Sequence, residues 1–271
     1  MNSRFCKGVG QSEPAAKVTT NRLVLVALTV CLLATACAWR PPAAIRKDRA
    51  AEQTVAALQQ INAGLERFKC VGKVTLVGPD KPVQSHRAAI AGQFPDRLRI
   101  DMLAPFGGSS GTLASDGGHL VLVMPYSREY YKKRFGDGSL SRFIQLDISV
   151  DDLLELMVGR IPMDERYAGQ LLRGEDKTTT QIELVDWRGR VRQRITVNEA
   201  LQPINSVWYG ASGSETYRVG FGGRQTVDGF ALPRRIEIVA ATGSAAAVSL
   251  DRCEVNPDLD TRLFSPARPV Y

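Results

Sequence analysis

Histidine is scarce in this 271-residue sequence, and so are the motifs on which a metal or catalytic centre is built. The two histidines, His86 and His119, stand in no ligand spacing with a cysteine or with each other, which argues against a metal site. There is no Gly-x-Ser-x-Gly elbow, and the serines that follow Gly107-Gly108 have no base placed for them, so a serine hydrolase is disfavoured. Internal repeats and low-complexity tracts are absent, which excludes a solenoid. The apolar run over residues 23–36 has 14 members, fewer than the roughly 20 that cross a bilayer as a helix. Apolar residues still make up 44% of the chain, enough for a folded core and too many for a disordered chain.

That short run is informative by position. It follows Arg4, Lys7, Lys17 and Arg22, opposed only by Glu13, and it ends in small residues, the layout of a secretory signal. A retained transmembrane helix is the alternative. The run closes in Leu33-Ala34-Thr35-Ala36-Cys37, which resembles the bacterial lipoprotein signal, in which the cysteine becomes the lipidated first residue; an ordinary cysteine after a cleavage site is the competing reading. Ala38 after Cys37, rather than aspartate, implies by the same resemblance the periplasmic face of the outer membrane. Removing residues 1–36 lowers the net charge from +7 to +4. On an exported chain a mild basic excess points to anionic head groups, and export argues against nucleic acid as a partner. Trp39, Arg40, Arg46, Lys47 and Arg49 beside the anchor suit an interface, or equally a solvated basic helix end.

The expected organisation is a signal peptide at 1–36, a lipidated Cys37 with a tether to residue 43, and one domain over 44–271. After Pro41-Pro42, Val55, Leu58, Ile61, Leu65 and Phe68 recur at steps of three and four, which predicts a helix over 44–67 with one apolar face. Strands follow. Over 97–103, Leu98, Ile100 and Met102 alternate with Arg97, Arg99 and Asp101, so the sheet has one apolar and one polar face. Asp116-Gly117-Gly118 marks a hairpin turn. Tyr130, Tyr131, Lys132 and Lys133 read as an amphipathic edge strand. Ser149, Asp151 and Asp152 cap a second helix carrying Leu153, Leu154, Leu156 and Met157 and stopped by Gly159. Strands resume from residue 181 to residue 254. The fold class is mainly β: about ten or eleven antiparallel strands in a sheet that must curl, with two helices to cover its concave face. Cys70 and Cys253 lie in the first and last strands, where they form either one disulfide or two buried thiols.

One short loop stands apart. In Leu103-Ala104-Pro105-Phe106-Gly107-Gly108 the proline and glycines make a turn, and a large ring sits at its tip. Phe106 either folds back onto the sheet or has a partner outside it.

These residues carry a resemblance. Arg97-Leu98-Arg99-Ile100, Ala104-Pro105-Phe106-Gly107, the hairpin running into His119-Leu120-Val121-Leu122-Val123, and Leu153 through Pro162 are similar to the LolB family of outer-membrane lipoprotein receptors. The likeness extends over most of residues 44–256 and departs at Gly108-Ser109-Ser110-Gly111 and after Asn256. It implies an incomplete antiparallel barrel with a helical lid over a hydrophobic cavity, acting as a monomer without a cofactor or catalysis. The implied partners are a LolA-type periplasmic carrier, lipoprotein acyl chains and outer-membrane phospholipid. Pro105, Phe106 and Gly107 take the place of the family's membrane-insertion loop. Leu98, Ile100, Met102, Leu120, Leu122, Leu153 and Met157 are the expected acyl-chain cavity. A lipid sensor or structural envelope lipoprotein on the same fold is the alternative.

Overall fold

A computed structural model describes residues 48–79, 82–105, 107–134, 140, 146–172 and 178–269. The expected signal segment, Cys37 with its expected tether, and Phe106 lie outside the described residues. Thirteen strands form one antiparallel sheet: β1 (Arg67–Val77), β2 (Gln84–Gln93), β3 (Arg97–Leu103), β4 (Ser109–Asp116), β5 (His119–Met124), β6 (Glu129–Arg134), β7 (Ala168–Leu172), β8 (Thr179–Val185), β9 (Val191–Asn198), β10 (Pro203–Tyr209), β11 (Glu215–Val227), β12 (Phe230–Ala240) and β13 (Ala245–Val255). Their spatial order is β6-β5-β4-β3-β2-β1-β13-β12-β11-β10-β9-β8-β7. Every neighbour is a sequence neighbour except β1 and β13, so two meanders are joined where the chain's first and last strands pair. β6 and β7 are the free edges, which leaves the barrel incomplete.

Two helices accompany the sheet. Helix α1 (Arg49–Gln59) begins at Asp48, whose carboxylate accepts from the Ala50 and Ala51 amides at 3.0 and 3.3 Å. It buries Ala51 and Leu58 and lies beside β7. The expected helix to residue 67 stops short because Asn62 enters the left-handed region, at φ 50°. The Asn62 amide donates to the Val158 and Ala231 carbonyls at 2.7 and 3.0 Å, and its oxygen accepts from the Ala231 amide at 3.1 Å. Three tertiary hydrogen bonds at one side chain outweigh another turn of helix. Helix α2 (Val150–Met157) starts where the Ser149 hydroxyl accepts from the Asp152 amide at 3.1 Å, and ends at Gly159, φ 76°. No helix among the described residues is long and apolar enough to cross a membrane.

The inner face of the sheet is filled where α2 covers it. Under α2 the core joins Phe68, Ile90, Leu98, Leu154, Leu156, Ile236 and Leu250, all at most 2% exposed. Each such side chain contributes about 1.5–3 kcal/mol by burial. Gly92 on β2 shows how close the helix lies, since a side-chain carbon there would meet the Phe68 ring at 2.3 Å and the Leu154 methyl at 2.6 Å. A second cluster of Leu58, Ile161, Ile182, Leu184, Ile195 and Val197 packs under α1.

Three features go beyond the sequence reading. Strand β7, Ala-Gly-Gln-Leu-Leu, has no β-branched residue; pairing with β8, and a 3.2 Å bond from the Leu171 amide to Asp48, hold it in the sheet. Strand β11 runs on through Gly222 and Gly223 to Val227 and keeps a single register with β12 along its whole length. The segment after Asn256 is folded: a 3₁₀ turn at Thr261–Phe264 buries Phe264 against β3 and β4, and Arg99 donates to the Leu263 carbonyl at 2.8 Å.

Candidate functional site

Between the end of α1 and the exposed flank of α2, over strands β9 to β11, lies an open cleft of about 730 Å³. Its floor is aromatic. Trp208 on β10 and Tyr217 on β11 face each other in the ladder and stack with centroids 4.6 Å apart and planes 16° from parallel. Leu58, Ile161, Met163 and Tyr167 make the apolar wall, and Gln193 is fixed at the base by bonds to the Pro162 carbonyl and the Ser206 hydroxyl, both 3.0 Å.

The rim belongs to α2 and is acidic. Asp151, Asp152 and Glu155 face the cleft from the helix's polar side. Burial pushes the Asp152 carboxyl above its ordinary range against the Ser149 bond, and the Asp151 charge adds to the rise. Burial also raises Glu155, although Arg160 beside it works in the opposite direction. Tyr217 is held far above the usual phenol range, first by burial and then by the charges of Asp152 and Asp147. Arg160 is committed to structure. It bonds the Asn62 and Leu65 carbonyls, pairs with Glu155 at 3.4 Å and lies 4.5 Å over the Phe94 ring. The site therefore offers a small aromatic and apolar trough with a carboxylate edge, suited to an amphiphile.

The expected cavity residues are brought together, but elsewhere. Leu98, Leu120, Leu153 and Met157 are buried in the main core, and Ile100 and Leu122 are half-buried against it. Met102 lies half-buried near the end of β3, its methyl 2.6 Å from where a side chain on Gly111 would begin. None of these seven lines the 730 Å³ cleft. Of the residues that do, Leu58 was visible in the apolar repeat of α1, while Trp208 and Tyr217 carried no signal beyond being aromatic residues in strands.

In the β3–β4 loop, Pro105, Gly107 and Gly108 are exposed. The Gly107 amide donates to the Ala104 carbonyl, and the Ala104 amide to the Gly108 carbonyl, both at 3.1 Å. Gly107 and Gly108 take φ of 94° and 80°, which only glycine adopts without strain. The Ser109 and Ser110 hydroxyls both donate to the Met102 carbonyl. His119 stands at the opposite end of the β4–β5 pair from Ser109 and Ser110 and lies 3.7 Å from Asp116. Among the described residues no group of three or more histidines, cysteines and acids is placed to hold a metal. Cys70 and Cys253, opposite each other in the β1–β13 register, are joined by a disulfide.

The chain matches no family model, and no curated protein matches it in sequence. Its fold does match solved structures. A domain described as an outer membrane lipoprotein-sorting protein from Vibrio parahaemolyticus superposes with a TM-score of 0.57 at 13% identity, over 79% of this chain and 96% of that one. A LolA superfamily protein from Nitrosomonas europaea gives 0.54 at 17% identity, over 79% and 96%. A DUF1329 family protein from Desulfovibrio piger gives 0.58 at 14%, over 80% and 96%. At such identities the likeness is one of fold: an open, curved antiparallel sheet with helices on its concave side.

Proposed function

We propose that this protein is a non-enzymatic, lipid-anchored receptor of the bacterial envelope that binds the acyl chains of lipoproteins and delivers them to the outer membrane. The observation that carries this reading is the open sheet with helices over its concave face and an aromatic, apolar cleft beside the lid. Acyl burial supplies the driving force, at about 0.8 kcal/mol per methylene. A 730 Å³ cleft is within the range of about 300–1,000 Å³ that accommodates one small ligand. A cargo with three chains needs more room, so α2 must lift from Phe68 and the core below it as chains enter. Cys37 is the proposed anchor, a LolA-type carrier the donor, and the Pro105-Phe106-Gly107 loop the element that enters the bilayer.

The filled core under α2 favours a second reading, a lipid-sensing or structural envelope lipoprotein whose lid stays shut. Transfer separates the two. A LolA-type carrier loaded with labelled triacylated lipoprotein is mixed with the chain from residue 45 onward, as wild type, Met163→Glu and Phe106→Glu. The receptor reading expects cargo to move to wild type, little uptake by Met163→Glu, and uptake without onward release to liposomes by Phe106→Glu. Cargo that stays on the carrier with every protein defeats it in favour of the sensor.

A further inference from the structure

The meander places alternate hairpins at one end of the sheet: β1–β2, β3–β4, β5–β6, β8–β9, β10–β11 and β12–β13. Among the described residues, three large hydrophobic side chains are more than 60% exposed: Tyr126 at 78%, Trp187 at 66% and Val83 at 64%. They sit in the β5–β6, β8–β9 and β1–β2 connections, all at that same end. Scattered exposed apolar residues are ordinary; three of the most exposed gathered on one rim are not.

The β8–β9 tip is the best developed. Asp186 stabilises the turn by accepting from the Arg188 and Arg190 amides at 2.9 and 3.0 Å, and Gly189 at its crest has open space around it. Trp187 therefore projects from a rigid turn, with the Arg188 guanidinium 4.3 Å over its ring. Arg188, Arg190 and Arg192 outnumber the single Asp186 here; desolvation works to raise its carboxyl, but the Arg190 and Arg188 amides and the charges of Arg190 and Arg192 hold it below its ordinary range. Beside the tip an open recess of about 550 Å³ is lined by Arg190, Arg194, Tyr209 and Ser212, sized for a head group. Tryptophan and tyrosine with arginine between them match the chemistry of a bilayer interface, in which the rings sit at the glycerol level and the cations meet phosphate.

We propose that this hairpin end is a docking face for an anionic phospholipid surface, with Trp187 and Tyr126 entering the interface and Arg188, Arg190 and Arg192 meeting phosphates. This goes beyond acyl-chain binding, because it operates with the cleft empty. Sedimentation of the chain from residue 45 with phosphatidylcholine vesicles, with and without phosphatidylglycerol, tests it, together with tryptophan emission. That chain retains two tryptophans, Trp187 and Trp208, the second half-buried. Wild type is expected to sediment only with the phosphatidylglycerol vesicles and to shift its emission to the blue. Trp187→Ser is expected to lose the shift. Arg188→Ala with Arg190→Ala is expected to bind about 25-fold more weakly, at roughly fivefold for each arginine, while the double Arg→Lys variant keeps most binding. These exposed positions leave folding intact, which unchanged melting temperatures verify. Equal sedimentation with both vesicle types, binding by the double Arg→Ala variant at wild-type level, or no sedimentation at all overturns the proposal, the last leaving a protein partner for this rim. Uptake of a fluorescent fatty acid in solution reads the cleft alone, so its loss bears on the receptor reading and not on this one.

Discussion

Cys70 of β1 and Cys253 of β13 are direct ladder partners 183 residues apart, and the bond between them ties the first strand of the sheet to the last. Every other strand pairing in the sheet is between sequence neighbours, so this seam is where long-range order is concentrated. Reducing the bond, or replacing both cysteines with alanine, is expected to lower unfolding stability by about 2–5 kcal/mol. Urea titrations of oxidised and reduced protein measure this, and equal midpoints would refute it.

Gly92 and Leu154 set the closeness of helix α2 and the sheet. A methyl at position 92 collides with the Phe68 ring and the Leu154 side chain. Gly92→Ala is expected to cost about 1–3 kcal/mol, because β2 and α2 must separate or Phe68 must leave its rotamer. Pairing it with Leu154→Ala, which vacates part of the space, should recover some of the loss. A double-mutant cycle in thermal unfolding reads the coupling, and strict additivity would mean that the two positions do not compete for that space.

Helix α2 was legible in the sequence from Ser149 to Gly159 because both of its ends are fixed by local chemistry, a side-chain cap and a left-handed glycine. The alternating strands were legible for the same reason. What escaped depended on distant contacts. Strand β7 has little intrinsic strand preference and exists through β8 and Asp48, and α1 stops at Asn62 because of groups on α2 and β12. The cleft escaped on different grounds. Alternation tells which face of a strand points inward, but it does not tell whether that face meets a helix or a ligand. Leu98 and Leu120 therefore met a helix-covered core, while the open cleft formed over Trp208 and Tyr217.

Asn62 joins three elements that are far apart in the chain, the end of α1, the end of α2 and β12. Asn62→Ala leaves two carbonyls and one amide without these partners and puts a Cβ-bearing residue with no local hydrogen bond into the left-handed region. The expected loss is about 1–3 kcal/mol. Asn62→Gly keeps the backbone conformation at ease and removes only the bonds, so it should be less damaging than alanine. Chemical denaturation of the two variants checks the order, and a glycine variant as unstable as alanine would show that backbone strain contributes little.

Asp152 gives the protein an unusual pH response at helix α2. Burial raises its carboxyl in the folded state above the ordinary 3.8, so folding favours the protonated acid. The stabilisation associated with that proton is complete below the unfolded-state value and is lost as pH rises through the folded-state value. At neutral pH the charged form is therefore a small burden on the native state, increased by Asp151 next to it. Asp152→Asn removes the charge, and it is expected to be at least as stable as wild type at pH 7. On lowering the pH through the carboxylate range, the variant should lack the gain that Asp152 gives the wild type, so the two stability curves approach each other. Denaturation midpoints of both proteins from pH 7 down to pH 4 measure the gap. A variant less stable than wild type at pH 7 would mean that the ionised carboxylate, through its bond with Ser149, contributes more to the helix start than its burial takes away.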